Sequence, residues 1–346
     1  MARARHKKKS IKGKLLVTIL LLLAILVFSW YFLFPKEVKE QVKKVAKIEP
    51  SLKIVDENSK ERPIAVMIDN SDAARDHHAG LQDAFITYEI ITEGGISRIM
   101  ALYKDKDVDL IGPVRSSRHY FLDYAMENDA IYAHYGWSAR ARSDIESLGI
   151  DNLNGITNAQ NTYWRDDAFY APHNVYTSTK DILDTAAEKD YELQTEQGLL
   201  LPYSVKNVSL EQEENKLVAN HIAIPYSYYH ETDYQYNPDT KEYYRSMNGS
   251  PHTDYQTKEQ YHVKNIIVIK VDNYSFDDYG RQDLENIGSG DGYYITNGYA
   301  IPITFEKTSR SSKTIYKKVT GEEIQVNDGN TAIQIQPISQ ELTITE

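Results

Sequence analysis

AFITYEIITEGGISRIMALY (84–103) holds two apolar runs, AFITYEII and ISRIMALY, separated only by Thr92, Glu93 and the pair Gly94-Gly95. Runs of this length, rich in β-branched and aromatic residues and bounded by glycine, read as buried strands joined by a tight turn. Upstream, PIAVMID (63–69) stops at Asn70-Ser71-Asp72 and predicts a third strand. Downstream, Gly112-Pro113 breaks the chain, and SSRHYFLDYAMEN (116–128) then sets Tyr120, Phe121 and Tyr124 at helical spacing. Ser116 or Ser117 would cap that helix. AIYAHYG (130–136) predicts a strand, SARARSDIESLG (138–149) a helix stopped at Gly149, and 178–189 a further helix. Strands alternating with helices imply an α/β domain over 62–200.

After residue 200 the helical signals end. EYYRSMNGS, NIIVIKV, GYYITNGYAIPITFE and NTAIQIQ are strand-like, and Asn297-Gly298 between apolar runs predicts a hairpin. Asn237-Pro238-Asp239 predicts another turn, and GSGDG (288–292) reads as a turn between strands. This second half is expected to be a β-rich domain over 215–340.

Residues 15–34, LLVTILLLLAILVFSWYFLF, carry no charge and are long enough for a helix to span a bilayer. Before them stand Arg3, Arg5, Lys7, Lys8, Lys9, Lys12 and Lys14 without one acidic residue. The positive-inside rule then makes 1–14 a cytoplasmic tail, 15–34 a transmembrane signal-anchor helix and 36–61 a charged juxtamembrane spacer, with the rest outside. Without those seven cations, the 39 Lys+Arg and 50 Asp+Glu of the chain leave 32 against 50. So acidic a surface is a poor partner for nucleic acid. Cysteine is absent, so neither disulfides nor thiolate chemistry contribute. No metal or other cofactor is expected: the chain has no HExxH, Walker, Rossmann or GxSxG signature.

Arginine is concentrated where chemistry would need it. Residues 98–165 hold Arg98, Arg115, Arg118, Arg140, Arg142 and Arg165 against only Lys104 and Lys106. Arg is favoured over Lys where a planar fork must meet a carboxylate or phosphate. In GPVRSSRH (112–119) two arginines flank the expected helix start, whose free N–H groups would also attract an anion. The same arginines could instead pair with carboxylates of the domain itself. Glu89 and Glu93 stand four apart, as an acid/base pair for glycan cleavage or as partners of those arginines.

RPIAVMIDN, GLQDAFITYEIITEGGISRIMALY, IGPVRSSRHYFLDYA, YWRD followed by APHNVYTS, and YYRSMNG followed by His-x-Asp together resemble the YerB-like lipoproteins of Gram-positive bacteria over residues 62–337. That family has an N-terminal and a C-terminal part and no established reaction. The resemblance implies an envelope protein facing the wall. It matches the family's motifs at Glu93, Gly94, Gly95, Arg98, Gly112, Pro113, Arg115, Ser116, Arg118, Arg165, His173, Asn174 and His252. A lipoprotein needs an acylated Cys, and here an apolar helix stands in its place.

The leading expectation is a membrane-anchored envelope protein binding a wall glycan or another anionic ligand. Arg98, Arg115, Ser116, Arg118, Arg165, His173 and Asn174 would form one concave binding site. The alternatives are a polysaccharide-active enzyme with Glu93 as general acid/base, and a scaffold for protein partners.

Overall fold

The computed structural model describes residues 51–346, together with Leu21, Leu22, Leu23 and Ile25, which are helical. The membrane span expected over 15–34 otherwise lies outside the described residues. Among those described, no helix is long and apolar enough to cross a membrane.

Residues 51–346 are β-rich with three α-helices. The first apolar runs form the expected strands β1 (Ile64–Asp69), β2 (Ile86–Ile91) and β3 (Ser97–Tyr103). β3 runs antiparallel to both β1 and β2. Helix α1 (Phe121–Glu127), strand β4 (Ile131–His134), helix α2 (Ala139–Leu148), strand β5 (Asn152–Asn154) and helix α3 (Thr179–Glu188) follow. The stop expected at Gly149 forms, with the residue in the left-handed conformation at φ 64°, and at the other end of α2 Ser138 Oγ accepts from the amide of Ala141. Ser178 caps α3 in the same way.

The cap expected for α1 does not form. α1 begins only at Phe121, because residues 115–117 are extended and already bonded elsewhere. The Arg115 amide donates to Met67 O and the Ser117 amide to Gly136 O. With those N–H groups occupied, no open helix start is left at Ser116 or Ser117 to receive an anion.

In the second half, β6 (His221–Ser227), β7 (His230–Asn237) and β8 (Glu242–Met247) form an antiparallel meander. β9 (Asn265–Val271), β10 (Gly288–Thr296), β11 (Tyr299–Lys307), β12 (Ile315–Lys318), β13 (Thr331–Pro337) and β14 (Thr343–Thr345) complete the longer strands. Asn297-Gly298 is the expected hairpin turn, with both residues at positive φ. GSGDG, expected as a turn, is instead the start of β10. Its glycines allow close packing: a Cβ on Gly292 would lie 2.2 Å from Val268 O.

Both halves enter one sheet, in the order β12-β11-β10-β9-β13-β2-β3-β1-β4-β5. The junction is β13, which lies parallel to β9 on one side and to β2 on the other. The boundary expected between 200 and 215 therefore runs across a continuous hydrogen-bonded sheet. Alternation sorts the side chains. Ile267, Ile269, Ile333 and Ile335 pack with Tyr88, Ile90 and α1 on one face, while Ile266, Val268 and Ala332 pack with Ile222, Ile224 and Tyr226 of the β6–β8 sheet on the other.

A buried ion pair also ties the halves. Glu127 at the end of α1 accepts from Lys307 Nζ of β11 at 2.8 Å, from Tyr88 Oη at 2.7 Å and from the Thr314 amide at 3.0 Å. Both charged groups are essentially fully buried. Removing one partner strands the other charge, a change that typically costs about 3–5 kcal/mol. Lys307→Met should therefore lower the urea-unfolding free energy by about that amount. A loss below about 1 kcal/mol would show that the pair does not join the halves energetically.

Candidate functional site

The sequence-predicted residues gather along one extended segment, 114–118, which crosses the ends of β1 and β3. Asp69, the last residue of β1, sits opposite Arg98 of β3 in the register. Turning the chain back from β2 into β3 requires left-handed residues, and Gly94 and Gly95 supply them at φ 75° and 73°. That turn carries Glu93.

Glu93 is enclosed by two arginines. Arg118 Nε donates to Oε2 at 2.8 Å, Arg118 Nη2 also contacts Oε1, and Arg98 Nη2 donates to Oε1 at 3.1 Å. Partial burial would raise its pKa, but the Arg118 hydrogen bond and the two guanidinium charges outweigh it and hold the carboxyl at about 2. Arg98, almost wholly buried, gives its other arm to Ser116 O at 2.6 Å. Burial lowers the Arg98 pKa to about 10. Arg118 gives Nη1 to Ser117 O at 2.7 Å. These two arginines are thus spent on the protein's own carboxylate and carbonyls.

Asp69 organises the second group. Its Oδ2 accepts from His173 Nδ1 at 2.7 Å and meets Arg115 Nε at 3.0 Å. Its Oδ1 accepts from the Ser71 amide at 3.1 Å. Burial opposes ionisation, but Arg115, His173 and Ser71 together keep the carboxyl below its ordinary range. Arg115 Nε makes only this ion-pair contact, without hydrogen-bond geometry, and its Nη groups have no protein partner among the described residues.

A third group holds the rim. Arg165 Nη1 donates to Asn174 Oδ1 at 2.5 Å and its guanidinium lies 5.2 Å from the Tyr135 ring centre. Asn174 Nδ2 donates to the carbonyls of Asp166 and Phe169, each at 3.1 Å, and so shapes that loop. Ser116 Oγ donates to Tyr135 O at 3.0 Å, which turns the hydroxyl inward.

Beneath Asp69 lies a buried polar network in which the sequence marks Glu89 and His252 as motif residues and Asn70 only as a strand end. Glu89 accepts from Arg245 Nη2 at 3.0 Å, Thr232 Oγ1 at 2.8 Å, Ser97 Oγ at 2.7 Å and Asn70 Nδ2 at 2.9 Å. Glu89 and Glu93 share none of these partners, because β2 ends at Ile91 and the turn sends Glu93 elsewhere. Arg245 also reaches His252 Nδ1, whose Nε2 meets His78 Nδ1, whose Nε2 in turn meets the Asp69 carbonyl. One tautomer satisfies this chain, with each neutral histidine donating through Nε2 and accepting at Nδ1. Asp69 closes an apolar run and Arg245 is a lone cation among tyrosines; neither position announces a role in the sequence. His134 is buried in β4, and both its ring nitrogens are taken, by Gly136 O and Asn152. A cavity of about 330 Å³ lined by Asp83, Asp107, Asp109 and Asp254 contains none of the predicted site residues.

Profiles for the N-terminal and C-terminal domains of the "Protein of unknown function (DUF3048)" family match residues 51–192 and 222–333. A curated Bacillus subtilis protein, "Putative lipoprotein YerB", is 30% identical over 295 residues, 84% of each chain. The chain belongs to the DUF3048 family. The crystal structure of YerB from Bacillus subtilis superimposes on this DUF3048 protein with a TM-score of 0.74 and 27% identity, covering 86% of this chain and all of that one.

The buried histidines make a pH prediction. Burial holds His78 and His134 at about 4, and burial with the Arg245 charge holds His252 well below its ordinary value. The unfolded chain takes up these protons near pH 6.5 and the folded protein does not, so stability falls as pH falls below about 6.5. Each such histidine contributes a slope of about 1.4 kcal/mol per pH unit between its two pKa values. Unfolding free energies measured from pH 7.5 to 5 should fall by several kcal/mol. A flat profile would show that these histidines are protonated in the folded protein.

Proposed function

We propose that this DUF3048 protein is an extracytoplasmic protein of the cell envelope that binds the anionic group of a wall glycan or another anionic ligand at Arg115. The apolar stretch 15–34 holds it in the membrane, with the basic tail inside. The lipoprotein name carried by its Bacillus relative agrees with a membrane-held protein.

One observation carries the binding reading: of the arginines gathered at the site, Arg115 alone keeps both Nη groups without a protein partner among the described residues, with 28% of its side chain exposed. Two exposed aromatic turns lie on segments that reach the site. Tyr228 and Tyr229, 95% and 72% exposed, form the tip between β6 and β7, and Tyr229 lies against Gly95. Tyr170, 91% exposed, accepts the His173 amide at its carbonyl. Exposed rings on the turns that adjoin Gly95 and His173, together with an unengaged guanidinium, suit a sugar that carries an acid. The general-acid reading of Glu93 loses its basis, since a carboxyl held at about 2 carries no proton at neutral pH.

Purified residues 51–346 should be retained on isolated cell-wall material, and Arg115→Ala should weaken retention by about 1.5–3 kcal/mol, roughly tenfold to a hundredfold. Equal retention of the variant and the parent would overturn the assignment of Arg115.

A further inference from the structure

One arrangement in the site has a reactive atom to spare. Asp69, 3% exposed, receives His173 Nδ1, which fixes the proton of the neutral imidazole on that nitrogen. Nε2 is left as a base, with no protein partner among the described residues, on a side chain that keeps 24% of its exposure. Arg115 Nε and His173 Nδ1 meet the same carboxylate oxygen, Asp69 Oδ2, at 3.0 and 2.7 Å, which places the guanidinium and the imidazole on one carboxylate while both Nη groups stay unengaged among the described residues. A buried carboxylate orienting an exposed imidazole is the pairing that general-base catalysis uses. A guanidinium fork matches two non-bridging phosphate oxygens.

We infer that Asp69, His173 and Arg115 form a catalytic centre that hydrolyses an anionic phosphodiester; this rests on the anion site at Arg115 proposed above. In the step, a water oxygen bonds to phosphorus while its proton passes to His173 Nε2. The bond from phosphorus to the leaving alkoxide breaks, and the imidazolium returns its proton to that oxygen. Diester and water thus give a phosphomonoester and an alcohol, with no further reactant. Arg115 holds the non-bridging oxygens and the charge that grows on them. Asp69 touches no substrate and acts through the ring as a positioning residue. Glu93, Arg98 and Arg118, closed on one another and on the 116–117 carbonyls, hold the segment that carries Arg115. A glycosidic bond is a poorer match, because it needs a carboxylic acid that keeps its proton, and both Glu93 and Asp69 are held ionised.

The test uses residues 51–346 with bis(4-nitrophenyl) phosphate in chelator-containing buffer, reading nitrophenolate release. The parent protein should turn the diester over, and His173→Gln should lower kcat by about a hundredfold or more, the usual range for a general base. His173→Gln should keep the parent's melting temperature. Asp69→Asn should lower kcat and displace the pH profile of kcat/KM. The charged groups against the ring are Asp69 and Arg115, so a purely structural Asp69 would reduce folded protein and leave that profile in place. Retention without turnover by the parent, or a His173→Gln rate equal to the parent's, would overturn the catalytic inference while leaving the anion site standing. Absence of both retention and turnover would remove the two together.

Discussion

The buried pair between Glu89 and Arg245 is the interaction on which the arrangement of the site depends. The two residues lie 156 positions apart in the chain, one in β2 and one in β8, and both are almost wholly buried. Two charges in such a place are tolerated only when their remaining hydrogen-bonding groups are met, and here they are. Thr232, Ser97 and Asn70 complete the carboxylate, and Thr232 and His252 complete the guanidinium. A pair of this kind adds little net stability over an apolar one, but loss of either partner leaves the other charge buried and unpaired, so the strands that carry them are held together. The β6–β8 sheet is thereby held in one position on the face of β2.

The same pair reaches Asp69 by two routes. Asn70, adjoining Asp69, donates to Glu89, while Arg245 connects through His252 and His78 to the Asp69 carbonyl. Asp69 is fixed from below before it meets Arg115 and His173 above. The arginine-rich surface and the C-terminal strands are consequently parts of one device, although the family's two domain profiles divide the chain between them. The parallel pairing of β13 with β2, and the Glu127–Lys307 pair on the opposite face, bind the same two segments at other points.

What the sequence could disclose follows from the range of each interaction. The strands at 64–69, 86–91 and 97–103 were legible because an apolar run is a local signal. The helix stop at Gly149 was legible for the same reason, and Ser138 and Ser178, which the sequence reading did not single out, cap through bonds only three residues onward. Ser116 and Ser117 look the same locally, but the amides of Arg115 and Ser117 are taken by Met67 and Gly136, and only the folded chain brings those carbonyls near. Arginine enrichment likewise located the site, and of the two readings of Glu93 the one that pairs it with those arginines is the one the fold forms. It did not separate the closed arginines from the open one. That distinction rests on Asp69, which reads in the sequence as the end of a strand.

Arg115 beside the Asp69–His173 pair is the claim that matters most, and ligand position tests it most directly. Crystals of residues 51–346 soaked in a non-hydrolysable phosphonate diester analogue would locate the bound anion. The account predicts its oxygens on Arg115 Nη1 and Nη2, with the phosphorus within reach of a water held by His173 Nε2. An anion bound to Arg165 or elsewhere, with Arg115 left empty, would contradict it.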